Sequence, residues 1–102
     1  MYCILDHVYA ISYGLNQKPK YFTMFSVSGN PNSTSTFEGE SPEDLADIVG
    51  SHIESLKMSR QRVECTFDNT RKYSNRGGTI KYQIPFSPSE EKVFIQRLTE
   101  KK

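Results

Sequence analysis

The chain opens with Tyr2-Cys3-Ile4-Leu5-Asp6-His7-Val8-Tyr9-Ala10-Ile11, a run whose alternating phases are both largely apolar. Its β-branched and aromatic residues predict a strand, and two apolar faces place that strand at the centre of a sheet. Tyr13 to Pro19 contains Gly14, Asn16 and Pro19 and predicts a loop. Tyr21 to Val27 predicts a second strand, antiparallel to the first, ended by Gly29-Asn30-Pro31-Asn32-Ser33. Phe37 belongs either to a short further strand or to a cap on the core.

A helix follows. Ser41 is the N-cap candidate, Pro42 suits the first helical position, and Asp44 stands where a capping box has its acid. Leu45, Ile48, Val49, Ile53 and Leu56 recur at three- and four-residue spacing and form one apolar stripe. Gly50 interrupts it at a cost of up to about 1 kcal/mol relative to Ala, which close packing on the sheet would explain. Val63, Cys65 and Phe67 then alternate with polar positions, as do Ile80, Tyr82, Ile84 and Phe86. Pairing Phe67 with Ile84 sets Cys65 opposite Phe86 and Arg71 opposite Ile80, a hairpin with both apolar faces on one side. Ser87-Pro88-Ser89-Glu90 opens a second helix with Val93, Phe94, Ile95 and Leu98.

The order is ββαββα: an α+β fold with a four-stranded, mainly antiparallel sheet and two helices packed on one face. Residues 1–102 suffice for a single domain. The matching helix starts hint at a duplicated ββα unit over 1–58 and 61–100. Apolar residues are only 35% of the chain, but the 12 aromatics compensate, because each buried ring removes about 150–250 Å² from water. Cys3 and Cys65 are too few and too far apart for a zinc pattern and are expected as reduced apolar fillers. No cofactor or metal is implied. The first ten residues lack a basic leader and hold Asp6 and His7 within the apolar run, which argues against a signal peptide or a membrane span. A cytoplasmic protein is expected, and the Asn32-Ser33-Thr34 sequon is then an ordinary polar turn.

Charge changes the picture. Residues 1–56 hold two bases against seven acids, and residues 57–82 hold seven bases against two acids. The stretch NTRKYSNRGGTIKY, residues 69–82, carries Arg71, Lys72, Arg76 and Lys81 with Tyr73 and Tyr82 and no acid. Cations there can neutralise phosphates, tyrosines can stack on bases, and Gly77-Gly78 suits a turn. Arg60 and Arg62 would extend the basic surface, with Lys57 beside them; cations at a helix C-terminus are also locally favourable without a partner.

A nucleic acid or an acidic protein surface is therefore the expected partner. The alternative is a protein–protein inhibitor or adaptor that docks on a larger enzyme, a nucleic-acid-processing one among the candidates, as short chains from phages and mobile elements often do. Tyr9, Tyr13, Tyr21 and Phe22 are a candidate protein or homodimer interface if the sheet's uncovered face leaves them exposed. His7 beside Asp6 suggests acid–base work, but adjacent strand residues point to opposite faces. His52 is expected at the core edge. No nucleophile elbow or phosphate-cradling glycine loop is present, and a non-enzymatic binding role is expected.

Overall fold

Both apolar phases of the first strand are used. In the computed structural model, which describes residues 2–12, 14, 18–27, 30–67 and 82–100 and leaves aside the side chains of residues 30–33 and 82, β1 (Cys3–Ser12) is the central strand of a five-stranded sheet. It pairs antiparallel with β2 (Lys20–Val27), which pairs antiparallel with β3 (Asn30–Gly39). On the other edge of β1 lie β4 (Val63–Cys65), parallel to Cys3–Leu5, and β5 (Tyr82–Pro85), antiparallel to Tyr9–Ser12. Helices α1 (Pro42–Ser55) and α2 (Pro88–Thr99) supply apolar side chains to the same core, which forms against one face of the sheet.

The α+β class and the two helices on one face agree with the sequence pattern, and two details do not. The sheet is mixed, because β4 is parallel to β1. Among the described residues β4 and β5 pair with β1 and not with each other, so the expected Phe67–Ile84 register does not form. Alternation fixes which side chains face the core but not which neighbour completes the ladder, and β1 satisfies the same parity. Phe67 instead packs against the rings of Phe86 at 6.0 Å and Phe94 at 6.3 Å. Ile84 shares the phase of Phe86 yet is 44% exposed, because β5 is a short edge strand. The fifth strand, β3, occupies a stretch expected mainly as a turn. Its outer edge needs no apolar alternation, and Phe37 is the side chain it sends into the core.

A bulge shapes β1. Asp6 faces Met24 and Tyr9 faces Phe22, so His7 and Val8 stand against Thr23 alone. His7 takes φ 54°, and its backbone N–H donates to Asp6 Oδ1 at 2.8 Å. Thr23, fully buried, donates its hydroxyl to the Asp6 carbonyl at 3.1 Å. That bond satisfies an oxygen beside the interrupted ladder and explains a polar side chain at a core position. Beyond the bulge the parity reverses: Cys3, Leu5 and Val8 join the main core, while Tyr9 and Ile11 join Phe22 in a second buried cluster.

The helix starts form as their sequences predict. Asp44 N donates to Ser41 Oγ at 3.1 Å, and Ser87 and Glu90 form a reciprocal capping box. The shorter Asp44 carboxylate accepts from Glu40 N at 3.0 Å instead of from the N-cap backbone. On α1 the buried face is Leu45, Ala46, Val49, Gly50 and Ile53, leaving Ile48 half-buried and Leu56 exposed. On α2 only Phe94 and Leu98 are buried. Gly50 faces Arg60 rather than the sheet: a Cβ there would lie 2.8 Å from Arg60 Nη2. His52 packs edge-on against Phe25, ring centroids 4.9 Å apart, and against Phe37 at 5.1 Å. Both cysteines are free, and burial pushes the Cys65 thiol up to about 12, which suits an inert filler.

Candidate functional site

At the C-terminal end of α1 the backbone turns back on itself. Leu56 is the C-cap, and Lys57 follows in the left-handed region at φ 57°. Lys57 N donates to Glu54 O at 2.9 Å and Met58 N to Ile53 O at 3.2 Å, the paired bonds of a Schellman closure with Lys where Gly is usual. Met58 is drawn in, and its thioether accepts the Cys3 thiol at 3.6 Å. Ser59 then caps a single 3₁₀ turn, Arg60–Arg62, accepting from Gln61 N at 3.3 Å through its hydroxyl and from Arg62 N at 3.2 Å through its carbonyl.

This pinned segment and the end of β2 enclose an open cleft of about 730 Å³, lined by Val27, Leu56, Lys57, Met58, Ser59, Gln61 and Arg62. Val27, Leu56 and Met58 are its apolar surfaces. Lys57 and Arg62 are exposed, and among the described residues neither has a side-chain hydrogen bond or ion-pair partner and no acid lines the cleft.

The two arginines of the turn differ. Arg60 is committed within the fold: its guanidinium pairs with Glu54 of α1 and donates to Glu100 O at 3.0 Å, with Leu98 O at 3.5 Å. Its side chain is only 13% exposed. Arg60 thus clamps the end of α2 to α1, and Arg62 is the cation left to solvent. Sequence reasoning treated the pair alike; the glycine at 50, one helical turn before Glu54, is the signal that separates them. It missed Leu56 and Met58 as cleft residues because a Schellman closure on a lysine has no sequence mark.

Of the basic stretch, Arg71, Lys72, Tyr73, Arg76 and Lys81 lie outside the described residues, as does the Gly77-Gly78 turn. What is described is its attachment. Thr66 N donates to Leu5 O at 2.9 Å on one side, and Tyr82 pairs with Ser12 on the other. These anchors are separated by about 20 Å along one strand at roughly 3.3 Å per residue.

The candidate aromatic interface does not form one exposed patch. Tyr9 and Phe22 lie on the sheet face away from the helices but are each 4% exposed, their rings 5.5 Å apart. Tyr21 faces the helices, packs edge-on against Phe86 at 5.3 Å, and donates its hydroxyl to Glu90 Oε2 at 2.7 Å. That bond raises the Tyr21 pKa to about 12, and donation from the Ser87 backbone, then from Tyr21, holds Glu90 below the usual carboxylate range. Tyr13 lies outside the described residues.

Asp6 and His7 do converge, against the expectation for neighbouring strand positions, because the bulge turns His7 onto Asp6. His7 Nδ1 is 3.4 Å from Asp6 Oδ2, and the His7 ring meets Tyr9 edge-on at 6.2 Å. The acids before and within α1 serve the fold in part: Asp44 caps, and Asp47 holds Arg97 through two bonds of 2.9 and 3.1 Å. Among the described residues no three His, Cys, Asp or Glu side chains group as metal ligands, and no helix is long and apolar enough to cross a membrane. Comparison with protein-family models, curated proteins and solved structures finds no match for this chain.

Proposed function

We propose that this is a small non-enzymatic binding protein that grips nucleic acid or another polyanion through the basic stretch Arg71, Lys72, Arg76 and Lys81. The observation that carries the reading is the charge distribution: seven bases against two acids over residues 57–82, with no acid in 69–82. The count includes Arg60, which pairs with Glu54 within the fold, so the four cations of residues 69–82 carry the reading. One structural fact supports it: the stretch is flanked on both sides by segments bonded to the central strand, and a rigid base reduces the ordering cost of binding.

The mechanism is counterion release: each lysine or arginine that neutralises a phosphate frees condensed cations, while Tyr73 and Tyr82 offer rings for base stacking. Four such contacts predict that affinity falls roughly 50- to 150-fold between 50 and 200 mM salt. Fluorescence anisotropy with duplex DNA, single-stranded DNA and structured RNA across a salt series tests this, beside the triple variant Arg71→Ala/Lys72→Ala/Arg76→Ala. A salt-steep signal lost in the variant is the expected result. No binding at low salt, or equal binding by the variant, would refute the proposal.

A further inference from the structure

We infer that the cleft at the C-terminal end of α1 is a docking site for a short acidic, hydrophobic peptide segment of a partner protein, independent of the basic stretch. Charge complementarity selects the class: Lys57 and Arg62 border the cleft, and among the described residues no acid pairs with them or lines it to repel a carboxylate. The apolar surfaces select the peptide over a nucleobase. Val27, Leu56 and Met58 are aliphatic or thioether side chains, and base recognition by stacking needs an aromatic plane that none of the described lining residues offers. Methionine and leucine instead shape themselves around an apolar anchor side chain.

Size agrees. A volume of about 730 Å³ lies within the range of roughly 300–1,000 Å³ of ligand clefts. Leu56 is 43% exposed at a helix end where the His52, Ile53 and Glu54 carbonyls are already bonded, so a hydrophobic partner can cover it without stranding those groups. The surrounding segment is pinned by the Schellman closure and the Ser59 cap, so little freedom is lost on binding. Gln61 and Ser59 can hydrogen-bond the peptide backbone between the charged border and the apolar surfaces.

The test is selection of a random 12-residue displayed peptide library against the full chain, followed by anisotropy on the recovered peptides as synthetic, fluorescein-labelled probes. The expected peptides place one or two large apolar residues beside at least two Asp or Glu. Their binding should weaken about tenfold or more in Leu56→Glu and again in Lys57→Glu/Arg62→Glu. Val93→Glu, an exposed apolar position on α2, should bind as wild type, and circular dichroism melts should show all variants folded. These positions are exposed, so the fold does not depend on them. Failure to enrich any peptide, enrichment without acids, or binding indifferent to the cleft variants would overturn the inference. So would a single-stranded oligonucleotide whose binding is lost in the cleft variants while no peptide binds.

Discussion

Arg60 and Gly50 form a pair whose coupling can be worked out in advance. The Arg60 guanidinium occupies the space where a side chain at position 50 would lie: an added Cβ would stand 2.8 Å from Nη2 and 2.9 Å from Cζ. Gly50→Ala in the wild type therefore has two opposed effects. Replacing a helix-interior glycine gains about 0.8–1 kcal/mol. Displacing the guanidinium forfeits its bonds to Glu54, Leu98 O and Glu100 O. Hydrogen bonds to charged groups are worth about 1.5–3 kcal/mol each, but Glu54 is 62% exposed, so solvent screening brings the combined loss to about 2 kcal/mol.

The net for Gly50→Ala alone is a destabilisation of about 1 kcal/mol. In an Arg60→Ala background only the propensity gain remains, and the same substitution should stabilise by nearly 1 kcal/mol. Urea unfolding followed by circular dichroism on the four proteins of the cycle measures both values. A coupling of about 2 kcal/mol is expected, with the sign of the glycine substitution reversing between backgrounds. Near-equal effects in the two backgrounds, within about 0.5 kcal/mol, would refute the clamp and return Arg60 to the exposed basic surface.

Three other outcomes follow from local geometry. Gly39→Ala puts a Cβ 2.8 Å from Leu45 N and 3.0 Å from Leu45 Cα, both backbone atoms, and should cost about 1–3 kcal/mol in urea unfolding. Lys57→Gly should be about 1 kcal/mol more stable than Lys57→Ala, because position 57 is left-handed and both variants lack the charge. The Tyr21–Glu90 bond makes two opposite pH predictions. Tyr21 has a raised pKa, so its contribution is complete below pH 10 and is lost as pH climbs through about 12. Glu90 has a lowered pKa, so its contribution is present above the ordinary carboxylate range and is lost as pH falls through its own lower value. Tyrosinate absorbance should show a late-titrating component that is lost in Tyr21→Phe and moves back toward 10 in Glu90→Gln, whose acid unfolding should be less steep.

Much of the fold was legible where a residue's role is local. Ser41, Pro42, Ser87 and Glu90 announce helix starts because capping chemistry is confined to four residues. The central place of β1 was legible because burial on two faces needs apolar residues in both phases. The choice of partners was not. Val63, Cys65 and Phe67 satisfy parity equally against β5 or β1, and nothing in their pattern ranks one ladder over the other. The strand β3 was hidden because its Ser, Thr and Asn side chains look like a loop, and an edge strand requires only that its backbone pair on one side.

The charged residues show the same division at the site. Arg60 and Arg62 stand two positions apart with the same side chain, yet one is a half-buried clamp and the other an exposed cation. The difference arises from residues distant in sequence: the missing Cβ at Gly50, the Glu54 carboxylate, and the carbonyls at the end of α2. Counting bases over residues 57–82 overstates the binding surface by the cations that the fold consumes. The bulge acts similarly on aromatics. Cys3, Leu5, His7, Tyr9 and Ile11 all share one phase in a regular strand, but the left-handed turn at His7 moves Tyr9 and Ile11 to the opposite face and admits Val8 to the core. That single backbone step puts Tyr9 and Ile11 on the sheet face away from the helices, where they are buried with Phe22 rather than exposed. It leaves the apolar cleft between Val27 and Leu56, with Lys57 and Arg62 at its border, as the stronger candidate for contact with another protein.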